Sequence, residues 1–246
     1  MDQVGFYGAV RYTALMIGIL MLASCFLITS RLPRKKWDPN VKWFDVTLFK
    51  EKQFAIFTIG AFLGMWVLFA PLDFLPSMAQ EHGFSPALAL YLISIVNATS
   101  IFGRTIPPYF ADVVGPFNII SMSASLSGVC MLALWLPFNY YSSHVGIIVC
   151  ALGYGFTSGA FVSLLMPCVA KSGDIETLGR RFGTFQIIMS IANLTGLPIM
   201  GKILEEQNGT NYEGLILFGG VSSIVGAAFL AAATYLLGKK LSTWKV

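Results

Sequence analysis

GLILFGGVSSIVGAAFLAAATYLL, residues 214–237, runs from one turn to the next without a charged side chain. About 20 apolar residues are enough for a helix to cross the hydrocarbon core of a bilayer. This stretch therefore reads as a membrane span. Six more stretches qualify on the same ground: Tyr7 to Ile28, Phe54 to Phe74, Ala87 to Ile106, Phe117 to Phe138, Val145 to Val169, and Phe185 to Leu204. The turns between them carry residues that end helices for backbone reasons: Pro71 and Pro76, Pro107-Pro108, Pro137, Gly173 and Gly209. The expectation is an all-α membrane protein of seven transmembrane helices.

Composition agrees. Of 246 residues, 56% are hydrophobic and 11% charged, and the mean hydropathy is +0.72. Soluble domains carry about 25% charged residues, so this chain is too poor in charge to cover a water-facing surface. The first apolar stretch is too long for a signal peptide and is followed by Arg31, Arg34, Lys35 and Lys36, a stop-transfer pattern. Cys25, Cys130, Cys150 and Cys168 lie singly in apolar stretches, and His82 and His144 sit at segment edges. Neither set forms a disulfide framework or a metal cage, and no cofactor is expected.

The net charge of +4 is unevenly placed. With seven alternating spans, Arg31, Arg34, Lys35, Lys36, Lys42, Lys50, Lys52, Lys171, Arg180, Arg181, Lys239, Lys240 and Lys245 fall on one side. Only Lys202 and Arg11 fall toward the other, and Arg104 lies at the end of the third span. Positive residues stay in the cytoplasm, so the C-terminus is expected inside and the N-terminus outside. The bias reads as topology, with no nucleic-acid partner; membrane lipid is the partner implied. The outer loops then hold Asp73, Glu81, Glu205, Glu206 and Glu213. The sequon Asn208-Gly-Thr210 falls in the last of them, a candidate glycosylation site. The sequons at Asn97 and Asn193 lie inside spans. In residues 31–53, Trp37, Trp43, Phe44, Leu48 and Phe49 interleave with Lys42, Asp45 and Lys50. Two readings fit this cytoplasmic linker: a short amphipathic helix on the leaflet, or an irregular aromatic-anchored segment.

Polar side chains inside spans mark candidate sites. Arg104 lies about 26 Å along its helix from Ala87, near a helix end if Pro107-Pro108 stop it. It either snorkels to the interface or faces a central cavity and binds an anion through its two-pronged guanidinium. Asn97 lies two turns earlier and shares its face. In the fifth span stand Tyr154, Thr157, Ser158 and Ser163; in the sixth, Gln186, Ser190 and Asn193 repeat at i, i+4, i+7. Such a stripe lines a water-filled path or bonds a neighbouring helix. Gly60-x-x-x-Gly64 and Gly155-x-x-x-Gly159 are expected to mark close helix contacts.

NATSIFGRTIPPYFADVVGPFN, residues 97–118, resembles the eighth helix and following loop of fungal monocarboxylate-transporter-like proteins of the major facilitator superfamily. Residues 179–186, GRRFGTFQ, continuing to Asn193-Leu-Thr-Gly-Leu-Pro198-Ile-Met-Gly201, resemble their eleventh helix. Pro71-Leu-Asp-Phe-Leu-Pro76 with Ala79 resembles the end of the seventh, and Tyr7 to Pro33 the sixth with its basic exit. The resemblance covers nearly the whole chain and implies helices six to twelve of a twelve-helix fold. Residues 1–30 would be the last helix of an N-terminal half, 54–238 a six-helix C-terminal half, and 239–246 a cytoplasmic tail. Helices one to five would be missing, so the chain reads as a fragment whose solute site needs the absent half or another copy. That resemblance implies a secondary carrier (a symporter in the type cases) of small, monocarboxylate-like solutes, with the plasma membrane as the default location. It also implies a substrate-binding role for Arg104, with Asn97, Tyr154, Gln186 and Asn193 completing the lining. Animal members carry an acidic residue, linked to proton coupling, where Ser100 stands here. Related fungal proteins move quite different solutes, riboflavin among them. Asp112 matches the acidic residue of the superfamily's inter-helix motif, which caps a neighbouring helix. Its expected partners are Arg180 or Arg181, as a cytoplasmic gate. The motif's usual basic residues are replaced around Val114 and Pro116.

A seven-helix receptor is the alternative with the same span count and orientation. Against it, the chain has no Asp-Arg-Tyr type triplet at the end of the third span and no lysine in the last span, and its longest inner segment follows the first span, where such receptors have a short loop. An intramembrane enzyme is not expected: Ser158-Gly159 has no histidine within a span to act as base, and Asp112 and Asp174 lie in loops. No phosphate-cradling loop appears.

Overall fold

The computed structural model describes residues 5–29, 44–141 and 143–246. These are helical throughout their ordered elements, and seven stretches are long and apolar enough to cross a membrane. The first, α1 (Gly5–Leu27), belongs to a unit of its own. The expected linker falls largely on residues 30–43, outside the described residues. Its last part is a 3-10 turn over Val46–Lys50, capped by the Asp45 side chain, which accepts from the Thr47 N–H at 3.0 Å.

The second unit holds six spans. The first of these is broken into α2 (Lys52–Val67) and α3 (Ala70–Glu81); then come α4 (Pro86–Val114), α5 (Pro116–Cys130), which continues through a π-helical turn into α6 (Leu136–Phe138), α7 (His144–Lys171), α8 (Leu178–Glu206) and α9 (Glu213–Leu241). α4 packs mainly on α7, α2 on α9, and α5 on both α9 and α7, while α8 leans chiefly on α2. Both small-residue motifs lie at these seams. A Cβ on Gly155 would run into Val96 and Thr99 of α4, and one on Gly159 into Ser100. Gly103 meets the Phe156 carbonyl from the other side, and Gly60 and Gly64 meet Gly226 and Phe161. Without water to drive association, close approach of backbones supplies the dispersion contacts.

Proline punctuation works differently from expectation. Pro107-Pro108 do not stop the third span, which runs on to Val114 and ends at Gly115, where φ is +105°. Each proline removes one backbone bond. In a bundle such losses are tolerated because neighbouring groups re-satisfy the freed carbonyls, and the buried stripe Gly103, Pro107, Ala111 holds the helix in place. Pro71 does interrupt its span, Pro76 does not. The sixth of the seven spans begins at Leu178, well before Phe185.

Two apolar clusters fill the interior. One gathers Phe54, Phe161 and Leu230 around Phe57, whose ring lies 5.2 Å from Phe117 and 5.4 Å from Phe185. The other gathers Leu75, Leu92, Trp135 and Ile147. The two ends of the bundle differ in chemistry. At the basic end two ion pairs form, Arg180 with Asp45 and Arg181 with Glu51. At the opposite end, Tyr212 donates to Glu81 at 3.0 Å and Asn139 to Asn211 at 3.0 Å. Burial, then the bond to Glu81, holds the Tyr212 phenol well above its ordinary pKa, so it is a neutral donor at any physiological pH.

Candidate functional site

Arg104 projects from an exposed stripe of α4 that also carries Asn97 and Asp112. Because α4 continues past the prolines, Arg104 lies about 27 Å from its start and about 15 Å before its end. It is therefore not at a helix terminus. No carboxylate pairs with it among the described residues. Asn97 donates its side-chain amide to the Ile93 carbonyl one turn back, at 3.0 Å. Ser100 bonds the Asn97 carbonyl at 2.8 Å and packs on Gly159, inside the seam with α7.

On α8, Gln186, Ser190 and Asn193 are all exposed. Thr195, on another face of the same helix, accepts the Trp66 indole N–H at 3.0 Å and so ties α8 to α2. Measured from the basic end, Arg104 stands at about 15 Å and Gln186 at about 12 Å. Asn97 and Asn193, at about 26 and 23 Å, also match in depth. No hydrogen bond joins any two of these four among the described residues, so each keeps polar capacity free.

Tyr154 is placed differently. It is 2% exposed, and its hydroxyl donates to the Leu68 carbonyl at 2.7 Å. The break before Pro71 explains the contact. The Leu72 N–H turns to Phe69, the Leu68 carbonyl loses its helical donor, and Tyr154 supplies one. The other hydroxyls of α7 bond their own helix: Thr157 to Gly153 and Tyr154, Ser158 to Gly155, Ser163 to Ala160.

The pairing expected at the basic end is exchanged. Asp112 is exposed and meets neither arginine. Arg180 Nη1 instead donates to Asp45 Oδ2 at 3.1 Å, and Arg181 Nη2 to Glu51 Oε1. Asp45 and Glu51 flank a 3-10 turn just ahead of α2. They escaped sequence reasoning because 130 or more positions separate them from their partners. Asn208 is exposed in the turn between α8 and α9, with φ +63°. An apolar groove of about 300 Å³ between α2 and α8, lined by Phe49, Ile59, Phe62 and Ile188 among others, contains none of the candidate residues. Among the described residues no cluster of His, Cys, Asp or Glu has the spacing to hold a metal.

A bundle of apolar helices with small-residue seams and exposed mid-helix polar stripes is the architecture of an integral, multi-pass membrane protein. Residues 2–197 match the family model described as Major Facilitator Superfamily, and the chain belongs to that superfamily. It is 39% identical to "MFS-type transporter hasB" of Aspergillus fumigatus over 96% of this chain and 56% of that protein. It is 36% identical to "MFS-type transporter 1" of an Ophiocordyceps species over 96% and 51%, and 32% identical to "Fujikurins efflux protein" of Gibberella fujikuroi over 97% and 50%. The chain thus spans about half the length of these relatives. The receptor alternative gains no support from them.

Proposed function

We propose that this chain forms the C-terminal half of a secondary carrier for small organic solutes together with the helix before it, and that Arg104 binds an anionic group of the solute. The observation that carries this reading is the position of Arg104: an exposed guanidinium well inside a 29-residue membrane helix, with no carboxylate partner among the described residues. A charged side chain at such depth is costly unless it meets a water-filled path or a counter-ion. Asn97, Gln186 and Asn193 are the polar groups available at matching depths. Tyr154 supports the site from behind through the Leu68 carbonyl. In alternating-access carriers the solute sits between two helical halves near the midplane, so helices beyond this chain, or a second copy, complete the site. The basic end is read as cytoplasmic, at the plasma membrane, with Asn208 on the outer side, and the six spans after α1 as helices seven to twelve.

A monocarboxylate is the simplest solute for a single arginine, with a proton as the coupling ion. The names of relatives such as "Fujikurins efflux protein" and "Agnestins efflux protein AgnL12" favour a second reading, export of an organic metabolite, whose acidic group Arg104 would then hold. The test is transport in deficient cells by this chain joined to a relative's first five helices. Labelled monocarboxylates and carboxylated metabolites would be followed in both directions at two pH values. Arg104→Ala is expected to abolish movement of acids. Transport of acids that survives Arg104→Ala would sink the arginine-anchored site, and transport of neutral solutes alone would sink the anionic substrate.

A further inference from the structure

The chain entering α2 is held to the first two turns of α8 by two arginines of unequal character. Arg181 is 4% exposed. Its Nε donates to Thr177 Oγ1 at 2.9 Å, its Nη2 to Glu51, and its guanidinium lies 5.5 Å from the centre of the Phe54 ring. Gly173 lies against the guanidinium so closely that a Cβ there would overlap it. Nη1 is buried and has no partner among the described residues. Arg180 is 42% exposed and reaches Asp45, which is 7% exposed. The Asp45 N–H donates to Thr184 Oγ1 at 3.0 Å, and its Oδ1 accepts from Thr47 Oγ1 at 2.6 Å. Between the two acids Leu48 is buried in the interior.

We propose that residues 45–51 are a strap latched to α8, with Arg181–Glu51 as its fixed anchor and Arg180–Asp45 as the pair that opens. The latch deepens the carrier reading, and rests on it, by assigning the basic-end gate to Asp45 and Glu51 where the sequence pointed to Asp112. The asymmetry follows from solvation. Water and salt compete for a half-exposed arginine. A buried guanidinium cannot give up its carboxylate without leaving an uncompensated charge. The spare Nη1 donor is consistent with a group that takes a second acceptor when α8 shifts, since buried donors seldom stay unpaired. Carriers of this architecture rock one helical body against another, and α8 packs less extensively than α2 or α7. The latch makes the strap travel with α8 while the pivot at Glu51 keeps its register.

The test is amide hydrogen exchange of residues 46–51 in the full chain reconstituted in lipid nanodiscs, at about 0.05 and 1 M salt. Arg180→Gln is expected to speed exchange of the strap about two- to fivefold, as for a partly exposed ion pair, with α5 and α7 unaffected. High salt should reproduce that increase in the unmodified chain and add little in the variant. Asp112→Asn should leave strap exchange unchanged. Strap exchange indifferent to Arg180→Gln and to salt would overturn the latch and leave Leu48 packing as the tether. An effect of Asp112→Asn equal to that of Arg180→Gln would return the gate to Asp112. None of these readouts depends on transport, so failure of the carrier reading would show separately, as absent solute movement with a normal strap response.

Discussion

Helices α7 and α8 are nearly the same length, 28 and 29 residues, and each carries polar side chains at mid-span. Yet half of the central apolar stretch of α7 is buried, against 22% in α8. The hydroxyls of α7 turn onto backbone carbonyls, while Gln186 and Asn193 of α8 stay exposed and unspent. The contrast comes from the neighbours. α7 is wedged between α4 and α5 through glycine seams, so its polar groups must find partners within the bundle. α8 rests mainly on α2 and keeps an open flank. A polar stripe in a membrane helix therefore gains its meaning from what packs beside it.

The comparison can be broken most severely at the α4–α7 seam. Gly155→Leu would drive a side chain into Val96 and Thr99, and overpacking of this kind costs about 3 kcal/mol or more. Thermal unfolding in detergent should show a large loss of folded protein; a near-normal melting point would mean the seam is looser than described. Next is Glu51→Gln, which leaves Arg181 buried without its carboxylate. A loss of about 3 kcal/mol is expected, the low end for breaking a buried pair, because Glu51 is itself a third exposed. Tyr154→Phe should cost about 1–2 kcal/mol by orphaning the Leu68 carbonyl, and should do so equally with and without solute. If that substitution instead abolishes solute binding and leaves stability intact, Tyr154 belongs to the lining after all. The smallest stability effect is expected for Gln186→Leu and Asn193→Leu, within about 0.5 kcal/mol as for exposed positions. Solute affinity of the completed carrier should nonetheless fall for both, which would separate the α8 stripe from the α7 hydroxyls by function.

Much of this fold was legible from local pattern. Span existence depends on apolar length, and both small-residue motifs sit where helices touch. Helix ends were less legible. Pro107-Pro108 look like a stop because each removes a donor, but the contacts of Gly103 and Ala111 outweigh the loss, and this moved Arg104 from a helix end to well inside it. Tyr154 looked like a lining residue because Tyr in a span is polar. Only the kink before Pro71, on another helix, shows where its hydroxyl goes.

By itself the sequence determined the membrane class, the number of spans, the uneven placement of positive charge and the identity of the mid-span polar groups. These rest on local quantities, hydropathy over one helix length and charge between helices. Only the tertiary structure decided which acid each arginine holds, which polar groups are spent and which remain available. Ion pairs such as Arg180–Asp45 join residues far apart in the chain, and their formation depends on burial and helix contact, neither of which is encoded in a neighbouring window.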